Sequence, residues 1–232
     1  MKLKKRIISF CMALCLILSV APVNVSATSV SATQKKAANT ADYFVYAVLR
    51  QTQWRVNKAY GRSVSKKTYL AQLKKVYNGK LGSRQKAAIA ASQVKASRWA
   101  YPSSIEPQAV GYLSMSKVKR VYKNLFGSNT SVDLPTVKSS TQTSKYYLSS
   151  FAKKGSTVYM LGFDAEDDYS SSFVSAKKSG STYTVTKKYK YYSHWGIKSR
   201  GEKPTQTITV KIKLKKKSSS PYKYNITGIS FS

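Results

Sequence analysis

His194 is the one histidine of this chain, and Cys11 and Cys15 are its two cysteines. Zinc sites draw their ligands from several His and Cys side chains, so this inventory argues against zinc chemistry. A Ser-His-Asp triad would have to use His194, and no Gly-x-Ser-x-Gly elbow accompanies it. Neither a Walker A loop nor a Gly-x-Gly-x-x-Gly fingerprint occurs. The sequence therefore gives no reason to expect a cofactor. Four of the eight acids crowd into one stretch as Asp164, Glu166, Asp167 and Asp168. Asp164, Glu166 and Asp168 fall on alternate positions, a spacing that could offer oxygen ligands to Ca²⁺. The glycine and distant glutamate of an EF-hand loop are replaced by Tyr169 and Ser175. Paired carboxylates can also hydrolyse glycosides. Acids this close in sequence rarely straddle one substrate bond, so Glu106 or Asp133 would have to supply the partner. The plainer reading is an acidic loop that meets neighbouring lysines.

Tyr189 to Gly196 is the densest aromatic stretch. Tyr192, His194 and Trp195 are its candidates for stacking on a sugar or a base beside the lysines, whereas Tyr189 and Tyr191 fit a strand core. Trp54 and Trp99, on helical segments, read as core residues. Lysines dominate the charge. The chain carries 41 Lys and Arg against 8 Asp and Glu, a net charge of +33. Such an excess predicts salt-dependent association with polyanions. Only eight of the cations are arginine, the residue whose planar fork reads phosphate and base edges bidentately. Sequence-specific nucleic-acid recognition is therefore not expected. Alternating Lys211, Lys213 and Lys215, with Lys188 and Lys190 beside them, make the best-defined basic row. Lysines so placed also discourage edge-to-edge strand pairing.

The first residues read as an export leader. Lys2, Lys4, Lys5 and Arg6 precede an uncharged apolar run, Ile7 to Val20, and Val25-Ser26-Ala27 supplies small residues for cleavage. Val30-Ser31-Ala32 repeats the signal, so cleavage after Ala27 or after Ala32 both fit. Removing four leader cations from 41 leaves 37 against 8 acids, a net charge of +29. Both cysteines lie in the leader, so no disulfide is expected in the mature chain. The leader's apolar run is short of the roughly 20 residues of a membrane span, and no longer one follows. A secreted product, associated with a cell wall through charge, is the expectation.

Residues 28–39 are small and polar, as in a disordered lead-in. A single α+β domain is expected over 40–232, helical over 40–127 and β over 145–232. Val45, Val48, Leu49, Thr52, Val56 and Ala59 share one helical face after Thr40, with Gly61 as the stop. Further helices fit Ser65 to Asn78, Arg84 to Trp99 and Ser116 to Phe126. The period then changes to two. Tyr183, Val185, Tyr189 and Tyr191 alternate with Thr184, Lys188 and Lys190. Ile208, Val210, Ile212 and Leu214 alternate with threonine and lysine. One apolar and one wet face predict an antiparallel sheet. Strands also fit Tyr146 to Phe151, Thr157 to Phe163 and Ser172 to Ala176, with turns at Lys154-Gly155 and Ser179-Gly180. In the last strand, Tyr222, Tyr224 and Ile226 give way to Ile229 and Phe231, a parity switch that marks a β-bulge at Gly228. The fold class is thus α+β, with N-terminal helices packed on a C-terminal antiparallel meander of about six strands.

The span Tyr183 to Phe231, with its final Tyr-x-Tyr-x-Ile-x-Gly-Ile strand, resembles the ends of secreted α+β proteins of Gram-positive gut bacteria, and Lys119 to Gly127 resembles the helix that often precedes such sheets. That resemblance implies a helix-covered curved sheet, with cystatin-like or NTF2-like folds as one possibility, and it implies no activity. Charge and the lack of a catalytic motif point to a non-catalytic module on anionic polymer such as teichoic acid or acidic glycan. Two alternatives stand beside it. One is a glycan-active hydrolase using Asp164 to Asp168. The other is a cationic antibacterial or host-interacting factor.

Overall fold

The computed structural model describes residues 28–61, 64–100, 109–127, 132–137, 151–161, 169–192, 204 and 206–232. Helix α1 (Ala32–Asn39) opens the described chain, followed by α2 (Asp42–Tyr60), α3 (Lys66–Val76) and α4 (Ser83–Ser92). Strands β1 (Arg98–Ala100) and β2 (Val110–Ser114) lead to α5 (Met115–Phe126). The remaining strands are β3 (Phe151–Lys154), β4 (Thr157–Leu161), β5 (Tyr169–Ser179), β6 (Thr182–Tyr191), β7 (Gln206–Lys216) and β8 (Tyr224–Phe231). The fold is α+β, with eight strands among the described residues rather than six. They form two antiparallel sheets of order β1-β2-β4-β3 and β5-β6-β7-β8.

Three local corrections have physical causes. Residues 28–39, expected as a disordered lead-in, instead hold α1. The Ser31 hydroxyl accepts from the Gln34 N–H while the Gln34 side chain accepts from the Ser31 N–H, a reciprocal cap. Ala37 and Ala38 are fully buried, so packing stabilises a segment whose composition alone reads as polar. Thr40, expected to start the next helix, ends this one, with its hydroxyl donating to the Ala37 carbonyl at 2.7 Å. The third expected helix stops at Ser92, and Arg98–Ala100 pairs with Val110–Tyr112 instead. Non-local pairing overrides helix propensity there. The helical part of the chain therefore contains two strands.

The C-terminal sheet buries its apolar face beneath α1, α2 and α3. Ile208, Val210, Ile212 and Leu214 of β7 and Val185 and Tyr189 of β6 join Val45, Val48, Leu49, Val56, Tyr69 and Leu73 in one core. Hydrogen bonds fix the docking. The Tyr77 hydroxyl donates to the Ile229 carbonyl at 3.2 Å, and Gln206 Nε2 donates to the Val64 carbonyl at 3.0 Å. A second core unites Ala87, Ala90 and Ala91 of α4, Val118 and Tyr122 of α5, and Leu113, Phe151 and Val158 of the N-terminal sheet. Val121 and Phe126 of α5 pack against both cores.

Both hairpin turns fall where expected, with Gly155 and Gly180 at positive φ (55° and 56°), a region that costs glycine nothing. The bulge near Gly228 is also present. Lys213 pairs with Gly228 and Leu214 with Ile226, which leaves Thr227 as the extra residue. A second shift in β5, between Phe173 and Ser175, leaves Val174 unpaired and exposed. β5 and β8 are the two edges of this sheet, and a bulge on each blunts the edge against a foreign strand.

Candidate polyanion-binding face

Antiparallel pairing sets every residue of the C-terminal sheet on one of two faces, because alternate side chains point to opposite sides. One face is the core. The other carries Lys188 and Lys190 from β6 and Lys211, Lys213 and Lys215 from β7, all exposed. The sheet brings these five together as their parity predicts. A sixth, Lys177 of β5, lies opposite Thr184 on the same face and is exposed. Its strand, Tyr-Ser-Ser-Ser-Phe-Val-Ser-Ala-Lys, has no clean alternation, and the bulge at Val174 shifts its parity, so sequence reasoning missed it.

Register shows how so many cations coexist. Lys188 lies between Ser172 and Thr209, and Lys190 between Ser170 and Thr207. Lys211 lies between Thr186 and Ser230, Lys213 between Thr184 and Gly228, and Lys215 between Thr182 and Asn225. No lysine of this face stands directly opposite another, which avoids the least favourable cross-strand pairing. The result is a checkerboard of ammonium and hydroxyl groups. Alternate residues on one strand are about 7 Å apart and strands about 4.8 Å apart. Successive lysines of β7 therefore sit within one Debye length of each other, about 8 Å at physiological salt. Their repulsion persists, and none of the four strands contains an acidic residue to offset it.

Only two acids, Asp42 and Asp133, occur among the described residues. Both are engaged away from this face. Asp133 accepts from the Ser83 hydroxyl at 2.8 Å and lies 3.8 Å from Arg84. Asp42 meets Lys187, whose Nζ approaches its two oxygens at 2.6 and 2.8 Å. Lys187 sits on the apolar parity of β6 and is 1 % exposed. Burial pushes its ammonium below the ordinary 10.5, outweighing the upward pull of the Asp42 carboxylate and their hydrogen bond.

The remaining candidates fare differently. Tyr192 is 8 % exposed, so its ring is packed rather than presented as an open stacking face. His194 and Trp195, and the acidic residues Asp164, Glu166 and Asp168, lie outside the described residues. Among the described residues no group of three His, Cys, Asp or Glu side chains could hold a metal ion. No described helix is long and apolar enough to cross a membrane. Trp54 and Trp99 are not core residues. Trp54 is 61 % exposed on α2, with the Lys58 ammonium 5.4 Å from its ring centre, and Trp99 is 47 % exposed on β1. Trp54 falls between the apolar positions Thr52 and Val56 but off their stripe, which the helical period could have shown. Trp99 lies across Gly111 on the neighbouring strand. A Cβ there would sit 3.1 Å from the indole.

Comparison of the chain with protein-family models, curated proteins and solved structures finds no significant match.

Proposed function

We infer that this protein is a secreted, non-catalytic module that associates with an anionic cell-wall or extracellular polymer through the outer face of its C-terminal sheet. One observation carries the reading. That face is an acid-free checkerboard on which each of Lys188, Lys190, Lys211, Lys213 and Lys215 projects between hydroxyl, amide or glycine neighbours. A repeating phosphodiester or carboxylate chain matches it physically. Its charges relieve the repulsion among the lysines, and the serine and threonine hydroxyls donate to its oxygens. Lysine suits this role, because a point charge on a flexible stem follows a polymer without demanding one geometry. Teichoic acid and acidic glycan are the polymers of this chemistry expected outside a bacterial cell. The hydrolase alternative depends on Asp164 to Asp168, which lie outside the described residues.

The test replaces Lys188, Lys190, Lys211, Lys213 and Lys215 together by threonine, a residue suited to exposed strand positions. With far-UV circular dichroism unchanged, the variant should lose retention on teichoic-acid-bearing walls. Full retention would overturn the assignment of this face.

A further inference from the structure

Lys187 stands apart from every other lysine of the sheet. Its Nζ is 2.8 Å from Asn39 Oδ1 and within 2.8 Å of both Asp42 oxygens. Phe173, its cross-strand partner, and Tyr189 wall the niche, with ring centres 4.6 and 5.3 Å from Nζ. The Tyr189 hydroxyl donates to Asp42 Oδ1. Asn39 ends α1 and Asp42 begins α2. The buried Ala37, Ala38 and Ala41 pin that junction, so both side chains are delivered to the same point over the sheet.

A buried amine, a carboxamide and a carboxylate within hydrogen-bond reach are the reactants and the proton carrier of a transamidation. We propose that Lys187 and Asn39 become joined by an intramolecular isopeptide bond, with Asp42 as the catalytic proton carrier. Asp42 takes a proton from the Lys187 ammonium, and the neutral amine attacks Asn39 Cγ. The new Nζ–Cγ bond forms as the Cγ–Nδ2 bond breaks. Asp42 hands its proton to Nδ2, and the second proton lost from Nζ passes through the same carboxylate to solvent water, leaving Asp42 ionised. One ammonia departs for each bond formed, and no oxidant or reductant is needed. The carbonyl oxygen already lies at hydrogen-bond distance, so its carbon is at most about 1.2 Å further from Nζ. A rotation of the amide then brings Cγ toward the roughly 3–3.5 Å of a near-attack geometry. Lys187 is 1 % exposed behind the aromatic walls, its lowered affinity for the ammonium proton favours the reactive amine, and the exposed Asn39 leaves the departing ammonia a way to solvent.

The bond would tie α1 to β6 across 148 residues of sequence. Cys11 and Cys15 lie at the start of the chain, so a covalent tie within the described fold requires chemistry other than a disulfide. Closing so long a loop restricts the unfolded chain strongly.

Intact mass spectrometry and a tryptic map of the purified protein decide the matter. The expected result is a mass lower by one ammonia than that of the sequence from its observed N-terminus, and a branched peptide linking Asn39 to Lys187. Asn39→Ala and Lys187→Met should have their sequence masses and lack the branched peptide. Asp42→Ala, which keeps both reactants, should lack it too. A wild-type protein at its sequence mass, with Asn39 and Lys187 in separate linear peptides, overturns the proposal. A succinimide at Asn39 also loses one ammonia but leaves Lys187 linear, and that map likewise refutes it. A branched peptide persisting in Asp42→Ala would overturn the role given to Asp42. The wild-type map is decisive even if a variant fails to fold.

Discussion

Deleting Thr227 from β8 should be nearly harmless, whereas deleting Lys213 from the neighbouring β7 should not. Thr227 is the extra residue of the β8 bulge, facing no partner of its own. Without it, Ile226 and Gly228 become neighbours opposite Leu214 and Lys213, and the ladder is regular. Ile226 and Ile229 keep the core face. The loss is one exposed hydrogen bond, from the Thr227 hydroxyl to the Lys213 carbonyl at 3.3 Å, and some local twist. We expect a cost within about 1 kcal/mol. Deleting Lys213 removes a paired residue from a central strand. One side of the deletion must then change face, since side chains alternate. Either Ile208, Val210 and Ile212 turn to solvent, or Leu214 does while Lys215 turns inward. These four apolar residues are at most 1 % exposed. At about 1.5–3 kcal/mol per buried aliphatic side chain, the first route costs roughly 5–9 kcal/mol. The second costs about 1.5–3 kcal/mol, plus several more for an unpaired buried ammonium. A native domain holds only about 5–15 kcal/mol in total. Urea unfolding followed by circular dichroism reads the difference. With a slope near 2 kcal/mol/M, deletion of Thr227 should move the midpoint by no more than about 0.5 M. Deletion of Lys213 should lower it by about 2 M or abolish folding. Equal damage from the two deletions would refute the bulge and the register drawn from it.

Other outcomes follow from the same geometry. Ile212→Ala, fully buried, should cost about 2–5 kcal/mol in urea unfolding, while its exposed neighbour Lys213→Ala stays within about 0.5 kcal/mol. Equal effects would contradict the two-faced sheet. Gly111→Ala pushes a methyl group to 3.1 Å from the Trp99 ring and 3.3 Å from Ala96 Cβ, and should destabilise by about 1–3 kcal/mol; an unchanged midpoint would mean that Trp99 does not lie over Gly111. Burial raises Tyr77 from 10.0 to about 12 and raises Tyr69 and Tyr189 as well. Groups whose folded values exceed their unfolded ones contribute stability that is complete below pH 10 and lost as pH climbs through the folded values. Stability should therefore decline above pH 10, with part of the phenolate absorbance appearing only on unfolding. Full titration of every tyrosine near pH 10 in an intact fold would contradict this.

The chain announces some of its architecture and hides the rest for identifiable reasons. Ile208 to Lys215 alternates without a fault, so one strand, its core face and its lysine row can be read directly. Gly228 marks the bulge because apolar parity changes across it. The helical stripe from Val45 to Val56 is equally plain. Strands β1 and β2 are not, because Ala87 to Trp99 has helical composition and only pairing with Val110–Tyr112 makes Arg98–Ala100 extended. Lys187 occupies an apolar position that Asp42 and Asn39, 145 and 148 residues away, make tolerable. Lys177 is obscured by a bulge in a serine-rich strand. Local period is visible in a sequence, while compensation between distant residues is not.

On the proposed function, charge on one sheet face holds this protein to an anionic polymer. Co-sedimentation with isolated Gram-positive walls, with and without teichoic acid across a salt series, tests it most directly. Five lysines, each neutralising one polymer charge, give a slope of log affinity against log salt near −3.5, using the coefficient of about −0.7 per contact for single-stranded polyanions. Affinity should then fall roughly 100-fold between 50 and 200 mM salt, and binding should vanish with the teichoic acid. Retention that ignores salt, or that persists on walls stripped of teichoic acid, would contradict the account.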